Sequence, residues 1–182
     1  IQLRPGKGKT ATSICVSAHI GLLTCVLLPI DLCDQWVTEY NKITFARTWV
    51  VGTKTQMSRP TKGKVFDINE VDVIVCYFKR WSNLDPDVRR RVGLLILDEC
   101  HMFCNKTGME SILSFTPRYV LACSATPHRS RDGMHALMDK VIGPDYITLP
   151  HDKMDFVVFK THTGFSPTRV ETKTSPLDWS VW

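Results

Sequence analysis

Apolar residues gather in five short runs rich in β-branched side chains, at residues 22–28, 48–51, 71–76, 94–97 and 119–123. The segments between them are long enough to hold crossover helices. Apart from Asp72, the runs lack the regular polar alternation of a strand with one wet face. Strands of that kind must be covered on both sides, which predicts an α/β fold, a parallel sheet sandwiched by helices. Helical patterns run over residues 9–19, 31–40, 86–91 and 131–141, the last stopped by Gly143-Pro144. Beyond Gly143 the pattern decays into scattered Thr, Ser, Pro and charge, with one extended-looking run at 156–160. The chain therefore reads as a domain over 1–143 followed by a linker or connecting segment over 144–182.

Composition narrows this picture. With 182 residues and 43% hydrophobic content the chain can bury one sizeable core. A net charge of +5 suits a phosphate-bearing partner, yet many proteins without one are as basic, so charge decides nothing here. The seven cysteines are odd in number, lie mostly inside apolar runs and follow no signal peptide, which predicts a reducing, intracellular compartment, nucleus or cytoplasm. The longest apolar stretch, residues 20–30, is broken by Gly21 and Thr24 and falls short of the roughly 20 residues a bilayer requires, so no membrane span is expected. Ile1 stands where an initiator Met would, close to the first motif, and the chain reads as a piece of something longer.

The chemistry begins at Gly6-Lys7-Gly8-Lys9-Thr10, which follows the apolar Ile1 and Leu3 and opens a helical pattern. Strand, loop and helix in that order are the context a phosphate-binding loop requires. Glycines allow successive backbone N–H groups to turn toward a β-phosphate. Lys9 brings a point charge to the β/γ oxygens, and the Thr10 hydroxyl can ligate Mg²⁺. The candidate nucleotide-binding loop is thus Pro5, Gly6, Lys7, Gly8, Lys9 and Thr10, although Leu3 occupies the place of the first Gly in the full G-x-x-x-x-G-K-[ST] form. Read by itself, the segment also fits an ordinary basic loop. A second signal is the run of residues 94–97 leading straight into Asp98-Glu99-Cys100-His101. Ligands collect at the carboxyl ends of parallel strands, where Asp98 can hold Mg²⁺ through water and Glu99 can orient and deprotonate an attacking water. A helix-capping Asp-Glu pair is the plainer alternative, but it has no need of four preceding apolar residues. Lys9, Asp98 and Glu99 are accordingly the candidate catalytic residues, and Thr10 with Asp98 the candidate Mg²⁺ ligands.

Taken with Ser124-Ala125-Thr126-Pro127 after the last strand, these segments resemble, in order and spacing, motifs I, II and III of the superfamily 2 DExH/DECH-box helicases. Pro29, Leu32, Gln35 and Trp36 are similar to motif Ia and its following helix in the branch that holds excision-repair, transcription-associated and large-DNA-virus helicases. The stretches 125–129, 131–133 and 142–144 point to the same branch. The resemblance implies a RecA-like P-loop NTPase lobe, the first of two, that binds ATP and Mg²⁺ and grips nucleic acid, DNA more than RNA by the branch. It gives His101, Ser124, Ala125 and Thr126 the task of coupling nucleotide state to nucleic-acid grip, and places Pro29, Gln35 and Tyr77 at the nucleic-acid face. Cys76 stands where many relatives have Thr, which removes one backbone-phosphate contact. The adenine-reading motif and motifs IV to VI, with the arginines of a second lobe, are expected outside this chain, so the fragment should hydrolyse ATP slowly and unwind nothing.

Lys54, Arg59, Lys62 and Lys64 lie in a stretch free of acid between Gly52 and Phe66 and could track a phosphate backbone, or be a plain solvated loop. Lys79-Arg80-Trp81 is a weaker candidate. Arg89-Arg90-Arg91 is most simply the basic end of a helix. Cys100, His101 and Cys104, with Cys33 or Cys123, have zinc-like spacing, but no C-x-x-C pair is present and zinc is not expected. Two other classes share parts of the pattern. A P-loop kinase or GTPase-type switch would use Gly-Lys-Thr without adjacent Asp98-Glu99 and His101, and a catalytically silent nucleic-acid-binding relative would not need Lys9, Asp98 and Glu99.

Overall fold

Five parallel strands form one sheet: β1 (Thr24–Leu28), β2 (Thr48–Val51), β3 (Val73–Tyr77), β4 (Leu94–Asp98) and β5 (Tyr119–Cys123), in the order β2-β3-β1-β4-β5. The structure is a computed structural model and describes residues 1–3, 6–52, 67–126, 135–143 and 147–148. The helices are α1 (Lys9–Ile20), α2 (Cys33–Ile43), α3 (Pro86–Arg91), α4 (Lys106–Leu113) and α5 (His135–Ile142).

Of the three inner strands, β1 and β4 are buried along their whole length, because both faces of the sheet are covered. Alternate residues feed two separate cores. Val26, Leu28, Val75, Leu94 and Ile96 face Ile14 of α1 and Cys33, Trp36 and Tyr40 of α2. Cys25, Leu27, Ile74, Leu95 and Leu97 face Val88 of α3, Ile112 of α4 and Met138 of α5. The period of two that divides these cores also decides where β4 aims its last residue. Asp98 follows Leu94 and Ile96 onto the face of α1 and α2.

The structure departs from the sequence reading in five places, the first being the run at 22–28, which becomes a strand only at Thr24. The helix expected at 31–40 begins as a 3-10 turn, Ile30–Leu32, and the α-helix proper starts at Cys33. The run at 71–76 becomes a strand only at Val73, because Asp72 is spent on Arg47, accepting from its backbone N–H and its guanidinium. Helix α4 was not expected at all. In the segment before the phosphate loop, Gln2 alone among the described residues makes parallel bridges, to Ser124 and Thr148. The chain divides into two units, Ile1–Leu149 and Pro150–Trp182, the second wholly outside the described residues, as are the start of the helix expected at 131–141 and the extended run at 156–160. Among the described residues no helix is long and apolar enough to cross a membrane.

Candidate active site

Gly6 and Gly8 both hold positive φ, 76° and 81°, and an added Cβ at either would meet nothing within 4 Å. The loop is therefore open backbone that only glycine adopts without strain. Gly8 is the N-cap of α1, with no side chain capping it and no acidic residue in the first turn. A helix start of this kind leaves N–H groups and the positive end of the dipole to an anion. The Lys9 ammonium donates to the Leu3 carbonyl at 3.1 Å, which folds the side chain back along the loop. Thr10 is half-buried one residue further on. Pro5 lies outside the described residues.

Helix α1 brings this loop over the end of β4. Ser13 Oγ, one turn into the helix, lies 3.2 Å from Cys123 Sγ, and Cys123 is the register partner of Asp98. The Ile1 carbonyl accepts from the Ser124 N–H at 3.1 Å, so the approach to the loop also lies against the end of β5. Loop, Asp98 and Ser124 thus share the carboxyl edge of the sheet, as the sequence reading required.

Asp98 is 5% exposed and, among the described residues, is the one side chain of Asp, Glu, Lys or Arg that is buried. Its two oxygens are held by different layers. Oδ1 accepts from the Glu99 N–H at 3.0 Å, and Oδ2 accepts from the Trp36 indole N–H at 2.7 Å. Charge-assisted hydrogen bonds of this sort offset part of the desolvation of a buried carboxylate. Glu99 itself turns into the left-handed region, φ 50° and ψ 51°, which swings its side chain out of the strand direction. Its Oε2 lies 3.3 Å from His101 Nδ1. The same His101 nitrogen is 3.0 Å from Ser124 Oγ, and Ser124 Oγ accepts from the Thr126 N–H at 3.1 Å. His101, Ser124 and Thr126 are therefore linked by hydrogen bonds through the Ser124 hydroxyl, and Glu99 stands against the His101 end of that link. Ala125 stands between the last two, half-buried.

Three nucleic-acid candidates are described, two at the carboxyl ends of strands and one at the start of a helix. Pro29 follows β1, and its carbonyl accepts from the Leu32 N–H. Gln35 is exposed in the first turn of α2. Tyr77 ends β3, half-buried, edge-on to Phe78 at 5.5 Å. Cys76 is fully buried, so its side chain has no access to a phosphate. Lys54, Arg59, Lys62 and Lys64 lie outside the described residues. Trp81 is accounted for differently: half-buried, it carries the Arg89 guanidinium over its ring at 4.9 Å on the opposite face of the sheet. Arg89, Arg90 and Arg91 form the last turn of α3. Cys33, Cys76, Cys100 and Cys123 are poor ligands and poor nucleophiles, because burial pushes Cys33 and Cys100 up to about 12 and raises Cys76 and Cys123 as well. No cluster of three or more His, Cys, Asp or Glu converges as a metal cage among the described residues.

Trp36 is the site residue whose part was not foreseen. A tryptophan at the spacing 36/40 with Tyr40 on an apolar helix face signals burial, and a buried indole N–H seeks an acceptor. Nothing in the sequence pairs it with a carboxylate 62 residues away.

The DEAD/DEAH box helicase family model matches residues 1–133. The chain belongs to the DEAD/DEAH box helicase family. Two relatives carry helicase names: 109L of Invertebrate iridescent virus 3, 33% identical over 89% of this chain, and 161L of Invertebrate iridescent virus 6, 24% identical over 97% of it. The chain spans only 48% and 39% of their lengths. Among solved structures, a Sulfolobus solfataricus SWI2/SNF2 ATPase core in complex with dsDNA superposes with a TM-score of 0.62 at 19% identity, covering 79% of this chain and 31% of that one. The family's fold, a RecA-like α/β lobe, is the one described above.

Proposed function

We propose that this chain is the first, ATP-hydrolysing lobe of a nucleic-acid-dependent helicase or translocase whose track is DNA. One observation carries the reading. At a single sheet edge, an uncapped helix start bearing Lys9 and Thr10 meets Asp98, the one buried Asp, Glu, Lys or Arg side chain among the described residues, with Glu99 beside it. In this reading the phosphates of ATP take up the N–H groups of residues 6–10, and the Lys9 ammonium exchanges the Leu3 carbonyl for a β/γ oxygen. Glu99 orients a water and accepts its proton as the oxygen attacks the γ-phosphorus, and ADP leaves with inorganic phosphate.

Mg²⁺ is the metal this family implies, and the donor set fits it. A dedicated protein cage is lacking among the described residues, and Mg²⁺ commonly binds through one or two carboxylates together with substrate phosphates. The Asp98 oxygens each accept one N–H, which leaves each a further lone pair. Thr10 and Asp98 would hold the ion, and it would supply neutralisation of charge building on the phosphate oxygens.

Pro29, Gln35 and Tyr77 at the carboxyl edge, together with Lys54, Arg59, Lys62 and Lys64, make the nucleic-acid face, and the chain of contacts from Glu99 to Thr126 couples it to hydrolysis. The lobe spans 1–143, and 144–182 leads to a second lobe whose arginines complete the site. DNA is favoured by the branch that motif Ia resembles, with support from the dsDNA bound by the SWI2/SNF2 relative in fold. In this reading the motor works inside the cell, and this chain binds neither zinc nor a membrane. The test is equilibrium binding of a fluorescent ATP analogue with Mg²⁺ present. Lys9→Ala should weaken it by roughly tenfold or more, the size of one charge-assisted hydrogen bond, while Glu99→Gln should keep it. Equal affinity in wild type and Lys9→Ala would remove the phosphate site from the reading.

A further inference from the structure

Burying a carboxylate is costly, and Asp98 is buried with an indole N–H as its donor from outside its own loop. Trp36 is itself 1% exposed and packs against Tyr40 at 6.0 Å between ring centroids, so its ring position is fixed by the core of α2. A packing tryptophan would be satisfied by any backbone carbonyl. Here the acceptor is the one carboxylate that the hydrolysis site must keep in a defined orientation, and the contact is short, 2.7 Å. The other carboxylate oxygen is held by the Glu99 N–H. With both oxygens engaged from two directions, rotation of the carboxylate about its Cβ–Cγ bond breaks one bond or the other.

We propose that Trp36 is a positioning residue for Asp98, fixing the orientation of the carboxylate that would help hold Mg²⁺ with the nucleotide. The inference rests on the nucleotide reading given above. The indole touches neither nucleotide nor metal; it acts through Asp98, and only the metal-dependent part of nucleotide binding should feel its loss. Helix α2 becomes the support on which the metal side of the site is built, while the phosphate side is built on α1.

The experiment uses the full 182-residue chain, with ADP as the probe, titrated calorimetrically in EDTA and again in Mg²⁺. Trp36→Phe keeps a ring in the core and deletes the N–H. In that variant the Mg²⁺-dependent gain in ADP affinity should fall by roughly tenfold, the effect of one hydrogen bond to a charged group, with affinity in EDTA within about twofold of wild type. The control is Tyr40→Phe, which removes the 3.0 Å contact to Ser17 from the same helix and should lower thermal stability while keeping the Mg²⁺ gain. A second readout is the indole ¹H–¹⁵N signal missing from Trp36→Phe, one of five, which should move when Mg²⁺ is added to the ADP-bound wild type. A full Mg²⁺ gain in Trp36→Phe, or an equal loss with and without Mg²⁺, would make Trp36 a packing residue and overturn the proposal. Wild-type chain that binds ADP in EDTA but gains nothing from Mg²⁺ overturns it while sparing the phosphate loop. Failure to bind ADP at all overturns both.

Discussion

Among the described residues Glu99 is the one non-glycine that holds positive φ, a conformation that costs an L-residue roughly 1–2 kcal/mol. The cost is met by neighbours: the Glu99 N–H donates to Asp98 Oδ1, and its carbonyl accepts from the Met102 N–H at 2.8 Å. The turn carries a carboxylate away from the buried strand and sets it beside His101, which in turn meets Ser124. Ser124 is buried and serves two partners, His101 Nδ1 and the Thr126 N–H. Ser124→Ala should therefore cost about 1 kcal/mol in chemical denaturation and, in the complete motor, lower polynucleotide stimulation of hydrolysis while leaving nucleotide affinity unchanged. Stimulation at the wild-type level would show that the contact only shapes the turn. Lys9, Thr10, Asp98 and Glu99 were legible as residues because phosphate chemistry demands those types at a strand end and a helix start. The Trp36 donor was not, since the pairing depends on how α2 lies across β4.

At the level of elements, strands were easier to read than helices. β1 and β4 are covered on both faces and so appear as unbroken apolar runs. Helix α4 escaped because its sequence, KTGMESIL, holds Gly108 and weak formers and offers only Met109 and Ile112 to the core. Its start was marked by Asn105, whose side chain accepts from the Gly108 N–H, a cap signal without a following apolar run long enough to confirm it. Gly108 is required by close approach: a Cβ there would lie 2.5 Å from Phe103 Cα, in the turn Cys100–Phe103 that carries His101. Because the obstacle is backbone, the turn itself would have to move. Gly108→Ala should destabilise the lobe by about 1–3 kcal/mol in denaturant melts, against a small gain if only helix propensity mattered.

For the molecule as a whole, the sheet places every described candidate on one carboxyl edge, while the opposite edge holds the exposed Arg47–Asp72 ion pair and none of them. That gathering follows from parallel topology alone: strands that all point one way deliver their C-terminal residues to a common edge. The fold class, and the meeting of the Gly-Lys-Thr loop with Asp98-Glu99 at one edge, were therefore readable from the order of apolar runs and motifs. The nucleic-acid side was readable only as residue types, because surface lysines take the same form whether they meet phosphate or water. The measurement closest to the central claim is the ATPase rate of the chain extended through the proposed second lobe, with and without single-stranded DNA or RNA, for wild type and Glu99→Gln. The account predicts a rate raised by polynucleotide, more by DNA, and abolished by Glu99→Gln. One rate regardless of polynucleotide, or turnover that survives Glu99→Gln, would contradict it.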